Sequence, residues 1–478
     1  MKSARCSLSQ LLHSEGLRFN TSYYVNDAVD YYEGLVKCPY SITKLGDEAE
    51  RIFLCNIFSR CFVKDADHGV PYMTPSEMLR FDMGQAKLLS KKQAEDLPHL
   101  RVKRGWILIS CSGSAALGSV VQADERHERM IATHDLIRFI PNEKNLKSGV
   151  VVAFLKSKYG KATLTHSQYG SCILHINRDH VSAIRIPIFP EQFQKRVHKL
   201  IDESLRLREE ASRLEGDAQC KLRQYTGLSV LSPDDYNYFG ARPASREISV
   251  FSRRLSAMSE LTFQAFNYSE RTRKWIEYCK RTCNCVSLRD ALDGREFFST
   301  GSFPRLELDS PKSYLLINQT DIFNLRLSGK KIARRGVKIR NLVQYGEVII
   351  AGVGTLGESE TFCRVVFGNE MLTGQLISGE FIRMNTNEKY PSGYLYAWLH
   401  SDYGFRLIRS TQAGTKQCRP IQKLLLEMPV PVLERRKMTE IDRLVRESQT
   451  KLSRAAELEN EAIDAVEAEI ESWQKYGM

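Results

Sequence analysis

Apolar or small residues recur every three or four positions at Val197, Ile201, Ser204, Leu207, Ala211, Leu214, Ala218 and Leu222, in a stretch that is otherwise charged. One apolar seam on a polar rod predicts a long helix packed against a partner. The same spacing returns at Ile441, Leu444, Ser448, Leu452, Ala455, Leu458, Ala462, Val466, Ile470 and Trp473. Helices of roughly thirty to forty residues would span about 45 to 60 Å. Neither seam can be buried alone, so the economical arrangement pairs the two helices antiparallel.

Elsewhere the pattern changes to short apolar runs. GWILIS from Gly105, DLIRFI from Asp135 and CILHI from Cys172 predict strands, GVVVAFLKSKYG from Gly149 predicts one helix, and a last strand ends at Pro187. GEVIIAGVGTLGE, Gly346 to Glu358, carries Gly352, Gly354 and Gly357 at the G-x-G-x-x-G spacing of a dinucleotide loop. That chemistry needs a helix to begin directly after the glycines. The next residues, ESETFCRVVF, read as strand instead, which predicts a glycine turn between two strands.

The chain repeats itself at half its length. In HDLIRFIPNEKNLKSGVVVAFLKSKYG and GEFIRMNTNEKYPSGYLYAWLHSDYG, Ile137-Arg138 matches Ile382-Arg383, Asn142-Glu143-Lys144 matches Asn387-Glu388-Lys389, and Ser157, Tyr159 and Gly160 match Ser401, Tyr403 and Gly404. LRFNTSYY at Leu17 parallels LTFQAFNY at Leu261, and YMTPSEM at Tyr72 parallels LINQTDI at Leu316. Gly170 parallels Gly414, Pro187 parallels Pro429, and REEASRLE at Arg208 parallels KLSRAAELE. GWILISCSGSAALG is the counterpart of GEVIIAGVGTLG but is two residues longer and breaks the G-x-G-x-x-G spacing. A β-turn tolerates such an insertion, whereas a phosphate cradle does not. The reading is a tandem duplication: an α/β (α+β) chain with a first domain over 1–188, a helix over 189–225, a second domain over 226–430 and a helix over 431–478. The two helices would form an antiparallel coiled coil in a pseudo-twofold dumbbell.

Composition narrows the class. At 478 residues and 42% hydrophobic content the chain is globular and long enough for several domains. With no run of eighteen apolar residues and no signal-peptide core in MKSARCSLSQLLHSEG, no membrane association and a cytoplasmic location are expected. The twelve scattered cysteines fit reduced thiols. From Glu440 to Glu471 ten acidic residues face four basic ones, a net of −6, leaving about +18 on the rest of a chain whose total is +12. A basic body with an acidic helical tail points to a polyanion partner for the body and a protein partner for the tail.

Catalytic constellations are absent from this pattern. There is no G-x4-G-K-[ST], G-x-S-x-G, H-E-x-x-H or paired C-x-x-C, no [DNS]-P-P-[FYW], and Asp234 and Asp235 in SPDDYNYF have no following E-x-K. Cys279, Cys283 and Cys285 supply three sulfurs with no nearby His or Cys to complete a tetrahedron, so no metal is expected. Basic runs are present instead. Lys330, Lys331, Arg334, Arg335, Lys338 and Arg340 precede the glycine turn of the second half, and Lys91, Lys92, Arg101, Lys103 and Arg104 precede that of the first. A single basic run is usually solvated surface, but recurrence at the same place favours contact with phosphates.

Taken together, GWILISCSGSAALG and GEVIIAGVGTLG, FLKSKYG and WLHSDYG, IRIPIFPEQFQKR and LEMPVPVLERRK, and the two seams cover nearly the whole chain, which resembles the specificity (S) subunits of type I restriction-modification systems. The resemblance implies two target recognition domains, each reading half of a bipartite site in double-stranded DNA. It implies that the helices recruit two methyltransferase (M) subunits, joined by restriction (R) motor-nuclease subunits. S-adenosylmethionine, ATP and Mg²⁺ would then belong to the partners, leaving this chain non-catalytic and free of cofactor. The segment from Gln224 to Leu261 is longer than a minimal hinge and departs from that pattern.

Three other readings are compatible with parts of the pattern. A methyltransferase or nuclease fused to its own recognition domain lacks a segment to hold the cofactor. A recognition subunit of a related phage-defence system would share the architecture, and neighbouring genes would separate it from type I. A coiled-coil scaffold whose globular ends bind proteins would show no salt-dependent DNA affinity. Leu214→Asp or Ile441→Asp is expected to disrupt the helix pair, because a charge in the seam lacks a partner. Unchanged complex assembly and unchanged site spacing in those variants would count against paired seams.

Overall fold

The computed structural model describes residues 8, 21–63, 66–82, 86–113, 116–170, 172–231, 251–357 and 359–475. Asp234 and Asp235, most of the long segment after Gln224, Leu17 to Asn20, Ser114, Ala115 and Glu358 lie outside them. The chain divides into two compact units, Met1–Glu209 with Arg454–Met478, and Glu210–Ser453. Both mix helix and sheet.

In the first unit an antiparallel sheet runs in the order Ala49–Phe53, Leu136–Pro141, Ile107–Ser110, Val120–Gln122. Side chains alternate across a strand. Ile107 and Ile109 therefore join Val150, Val151 and Phe154 of the helix Ser148–Lys156 in one core, while Leu108 joins Met73, Met78 and Val121 in another. Burial on both faces explains why GWILIS reads as an unbroken apolar run. A second sheet orders Phe62–Val63, Leu88–Ser90, Gly69–Met73 and Ile131–Ala132, the last pair parallel. Ile42–Lys44 pairs with Arg185–Pro187. CILHI forms no strand; His175 makes isolated bridges to Ser112 and Tyr169.

Within the second unit Val348–Ala351 lies between Val365–Phe367 and Phe381–Met384, all antiparallel. Val348 and Ile350 face one core, Ile349 and Ala351 the other. Tyr314–Ile317 pairs antiparallel with Lys330–Ile332 and parallel with Leu376–Ile377, and Cys285–Ser287 pairs with Pro429–Pro431. The glycines of GEVIIAGVGTLGE thus lead from one strand to its antiparallel neighbour, and Gly354 exchanges backbone hydrogen bonds with Cys418 at 3.2 and 2.8 Å.

The single helix expected over GVVVAFLKSKYG is two. Ser148–Lys156 ends at Ser157, and Lys158–His166 begins there. Ser157 Oγ donates to the Phe154 carbonyl at 2.6 Å and accepts from the Gly160 amide at 3.1 Å, so one hydroxyl closes the first helix and caps the second. In the second unit Ser401 does the same between Ser392–His400 and Asp402–Ser410, with bonds to Trp398 at 2.6 Å and Gly404 at 3.1 Å. The sharp turn brings each glycine against the preceding helix, where a Cβ would collide with the carbonyl of Phe154 or Trp398.

Long helices run over Glu191–Thr226 and Arg435–Lys475. In the first unit Val197 and Ile201 share a core with Ala462, Val466, Ile470 and Trp473, and Leu207 packs with Ala455 and Leu458. Early residues of one helix therefore meet late residues of the other, an antiparallel pairing. In the second unit Ala211 meets Ser448 and Lys221 meets Glu440, again antiparallel. Ile441 and Leu444 are buried there and Leu214 is half-buried, so of the two seam substitutions Ile441→Asp meets the drier site. Seam serines donate across to main-chain carbonyls, Ser204 to Ala455 at 2.7 Å and Ser448 to Ala211 at 2.8 Å.

Gly160→Ala and Gly404→Ala are expected to lower stability by roughly 1 to 3 kcal/mol, because the added methyl meets backbone that cannot move aside. Gly216, in the first long helix, has open space around its Cβ direction. Gly216→Ala should raise stability by about 0.5 to 1 kcal/mol through helix propensity. Urea unfolding midpoints check both signs.

Candidate nucleic-acid interface

In the first unit the strand Leu88–Ser90 runs into a short helix, Lys91–Asp96, whose opening residues Lys91 and Lys92 are exposed. The chain then extends toward Ile107–Ser110. Leu100 and Val102 turn inward, so Arg101 and Lys103 turn outward. Arg104 is also exposed but not free: its guanidinium donates to Glu209 at 2.8 Å, and its amide donates to Glu128 at 2.8 Å. The hydrogen bond from Arg104 to Glu209 raises the guanidinium above its ordinary value. Among the described residues no ion pair holds Lys91, Lys92, Arg101 or Lys103.

The second run is divided differently. Lys330 and Lys331 lie on the edge strand Lys330–Ile332 and pair with Glu307 and Asp309, each at 2.5 Å. Both pairs are solvent-exposed surface contacts, so each lysine is tethered to a neighbouring acid while its charge stays at the surface. Arg334, Arg335, Lys338 and Arg340 come next in a loop and are all exposed, with no carboxylate partner among the described residues. Arg334 lies over the Tyr314 ring at 5.1 Å. Four cations within seven residues, on a loop without an acid, can neutralise a row of phosphates.

Four acids of the tail are engaged inside the first unit. Glu459 is buried and accepts from Lys156 and Arg208, both at 2.7 Å. Glu471 accepts from Lys158 at 2.5 Å, Glu467 from the Lys158 amide at 2.6 Å, and Glu469 from the Tyr40 hydroxyl at 2.6 Å. Glu457, Glu461 and Asp464 are exposed, and Arg454 pairs with Glu457 at 2.9 Å and with Glu461 at 3.1 Å. Burial alone would push the Glu459 carboxyl up, but the adjacent Arg208 and Lys156 override it and hold the group well below the usual carboxylate range. Cys283 and Cys285 bring their sulfurs to 3.7 Å beside buried Cys279, and no group of three donors among the described residues could hold a metal. Nor is any described helix long and apolar enough to cross a membrane.

Sequence reasoning overlooked two kinds of residue. Arg138 and Arg383 were legible as a matched pair, yet both are fully buried rather than surface cations. Their signal was an arginine recurring at the same place inside an apolar strand. The Lys156, Glu459 and Arg208 cluster had no such signal, since its members come from three separate stretches.

No family model matches this chain, and no curated protein does. Solved structures that it is similar to include the S subunit of a type I restriction-modification system from M. genitalium, at 11% identity, 91% of this chain, 96% of that chain and TM-score 0.34. Another is the HsdS subunit from Thermoanaerobacter tengcongensis, at 13% identity, 91% and 96% coverage and TM-score 0.25. A third comes from a structure described as the basis of complex assembly and conformational transition of the type I R-M system, at 13% identity, 90% and 98% coverage and TM-score 0.27.

The depressed carboxyl at Glu459 contributes stability that is fully present above the ordinary glutamate value of about 4.5 and is lost as pH falls below it toward the folded-state value. Glu459→Gln should cost about 3 kcal/mol at pH 7, because it leaves Arg208 and Lys156 buried without a counter-charge. Its stability should also fall less steeply than that of the parent between pH 5 and pH 3. Urea titrations at several pH values give both quantities, and parallel curves would sink the assignment.

Proposed function

We propose that this chain is the DNA sequence-specificity subunit of a type I restriction-modification complex, built as two tandem-repeated target recognition domains and two long helices that form an antiparallel coiled coil. Each domain reads half of a bipartite site in double-stranded DNA, and the helices recruit two methyltransferase subunits, which a restriction motor-nuclease subunit joins. S-adenosylmethionine, ATP and Mg²⁺ belong to those partners, the chain itself is non-catalytic, and the complex works in the cytoplasm.

The observation that carries this reading is a repeated juxtaposition. In both units an exposed basic run leads directly into a strand buried on both faces, followed by a glycine turn and an antiparallel return. A serine-capped helix pair packs on the same sheet face in both. Repetition of a scaffold together with its basic edge, while the residues between differ, supports one DNA-reading module used twice on different half-sites. The cations would set affinity and register through phosphates, leaving base edges to the loops.

Methylation mapping by long-read sequencing, in a strain that carries the chain with its methyltransferase partner, is expected to give a two-part asymmetric motif with an unread gap. Replacing residues 1–187 with a related domain should alter one half of that motif and leave the other. Absence of DNA binding even with methyltransferase subunits present would sink the reading.

A further inference from the structure

The loop Arg334–Arg340 is held more firmly than a solvated charge run requires. Gly336 takes a left-handed backbone (φ 77°), and a Cβ there would sit 2.8 Å from Pro304 Cγ, so the turn is pinned against that ring. The Lys338 amide donates to Asn341 Oδ1 at 2.8 Å, and Asn341 Nδ2 donates to the Thr300 carbonyl at 2.5 Å. From below, the Arg383 guanidinium donates to the carbonyls of Leu342 at 2.6 Å, Asn341 at 3.2 Å and Arg340 at 3.5 Å. Its charge is answered by Glu347, which accepts two bonds at 2.8 Å in a pair that is almost wholly excluded from water.

Ile339 opens the 3-10 turn Ile339–Asn341 at the end of this loop and is 79% exposed between Lys338 and Arg340. Among the described residues that side chain joins no apolar cluster. An isoleucine presented in water by a rigid loop and flanked by cations is matched to a groove floor bordered by phosphates, where apolar groups contact thymine methyls or base steps.

We infer that Arg334–Arg340, rather than the strand carrying Lys330 and Lys331, is the DNA-contacting element of the second unit, with Ile339 its apolar base contact and Arg383 a positioning residue acting through the loop. This rests on the DNA reading proposed above. Arg335, Lys338 and Arg340 supply phosphate contacts. Lys330 and Lys331, already paired with carboxylates, supply none.

The test uses the full chain with its methyltransferase partner and a randomised pool of duplex DNA, reading both the salt slope of binding and the selected consensus. Arg335→Ala, Lys338→Ala and Arg340→Ala should each reduce the slope of log K against log salt by about 1, and Lys330→Ala or Lys331→Ala should leave it unchanged. Ile339→Ser should keep the slope and change the consensus at one or two positions of one half-site only. Arg383→Lys keeps a charge for Glu347 but cannot span three carbonyls; it should broaden that same half-site at an unchanged slope. Should Arg383→Lys fail to fold, the surface variants decide alone. Binding by the parent with a slope and consensus indifferent to the loop variants would overturn this assignment and leave the DNA reading intact. No binding by the parent would overturn both.

Discussion

The first unit cannot close with its own contiguous sequence. Its core takes Ala462, Val466, Ile470 and Trp473 from the later part of the helix Arg435–Lys475, whose earlier residues belong to the second unit. Those side chains lie against Val197 and Ile201 and reach the same cluster as Ile107, Ile109 and Phe154. Burying Val466 and Ile470 is worth roughly 1.5 to 3 kcal/mol each, so the seam is a substantial part of what holds the unit. The contacts join residues more than two hundred positions apart, which makes this closure entropically late relative to the local hairpins.

Charge obeys the same constraint. The acidic stretch of the second helix reads as a surface awaiting a basic partner, yet Glu459, Glu467, Glu469 and Glu471 are engaged by Lys156, Arg208, Lys158 and Tyr40. Much of the net negative charge therefore positions the helix on its own unit. Of the exposed acids beyond them, Glu457 and Glu461 pair with Arg454 at 2.9 and 3.1 Å, and Asp464 has no ion pair among the described residues.

These relations also mark how far the sequence was legible. The seams were readable because a period of three to four fixes which face of a helix is buried, and every seam residue from Val197 to Trp473 is buried or half-buried. Periodicity does not name the partner surface, so the dependence of the first unit on residues after 454 was hidden. The glycine turn was readable because the residues beyond Gly357 have the composition of a strand. The break at Ser157 was not, since FLKSKYG keeps its apolar spacing through the junction and a serine inside a helix and a serine capping one look alike in sequence. CILHI failed for the opposite reason: its β-branched composition suits a strand, but it forms only isolated bridges, both at His175. Of the candidate cations, exposure was predictable from charge, whereas the division between paired Lys330 and Lys331 and the unpaired loop beyond them depends on Glu307 and Asp309, more than twenty positions upstream.

The two buried arginines carry the comparison further. Arg138 and Arg383 occupy the same place on matching strands, opposite Phe53 and Phe298, whose rings lie 5.9 and 4.8 Å from the guanidinium carbons. Arg383 is neutralised by Glu347, but the residue matching Glu347 in the first unit is Trp106. Arg138 therefore relies on the carbonyls of Leu136, Ala132 and Thr133, and burial pulls its guanidinium below the ordinary value. A buried cation without a carboxylate is costly, and its presence indicates that the geometry it imposes on those carbonyls matters to the unit. The shared element is thus an arginine that reaches from the sheet to organise backbone beyond it. What differs is the backbone it organises, the turn after Ile131 in one unit and the basic loop before Val348 in the other. A framework that keeps the anchor and changes the anchored segment can alter which surface it presents without altering how it folds.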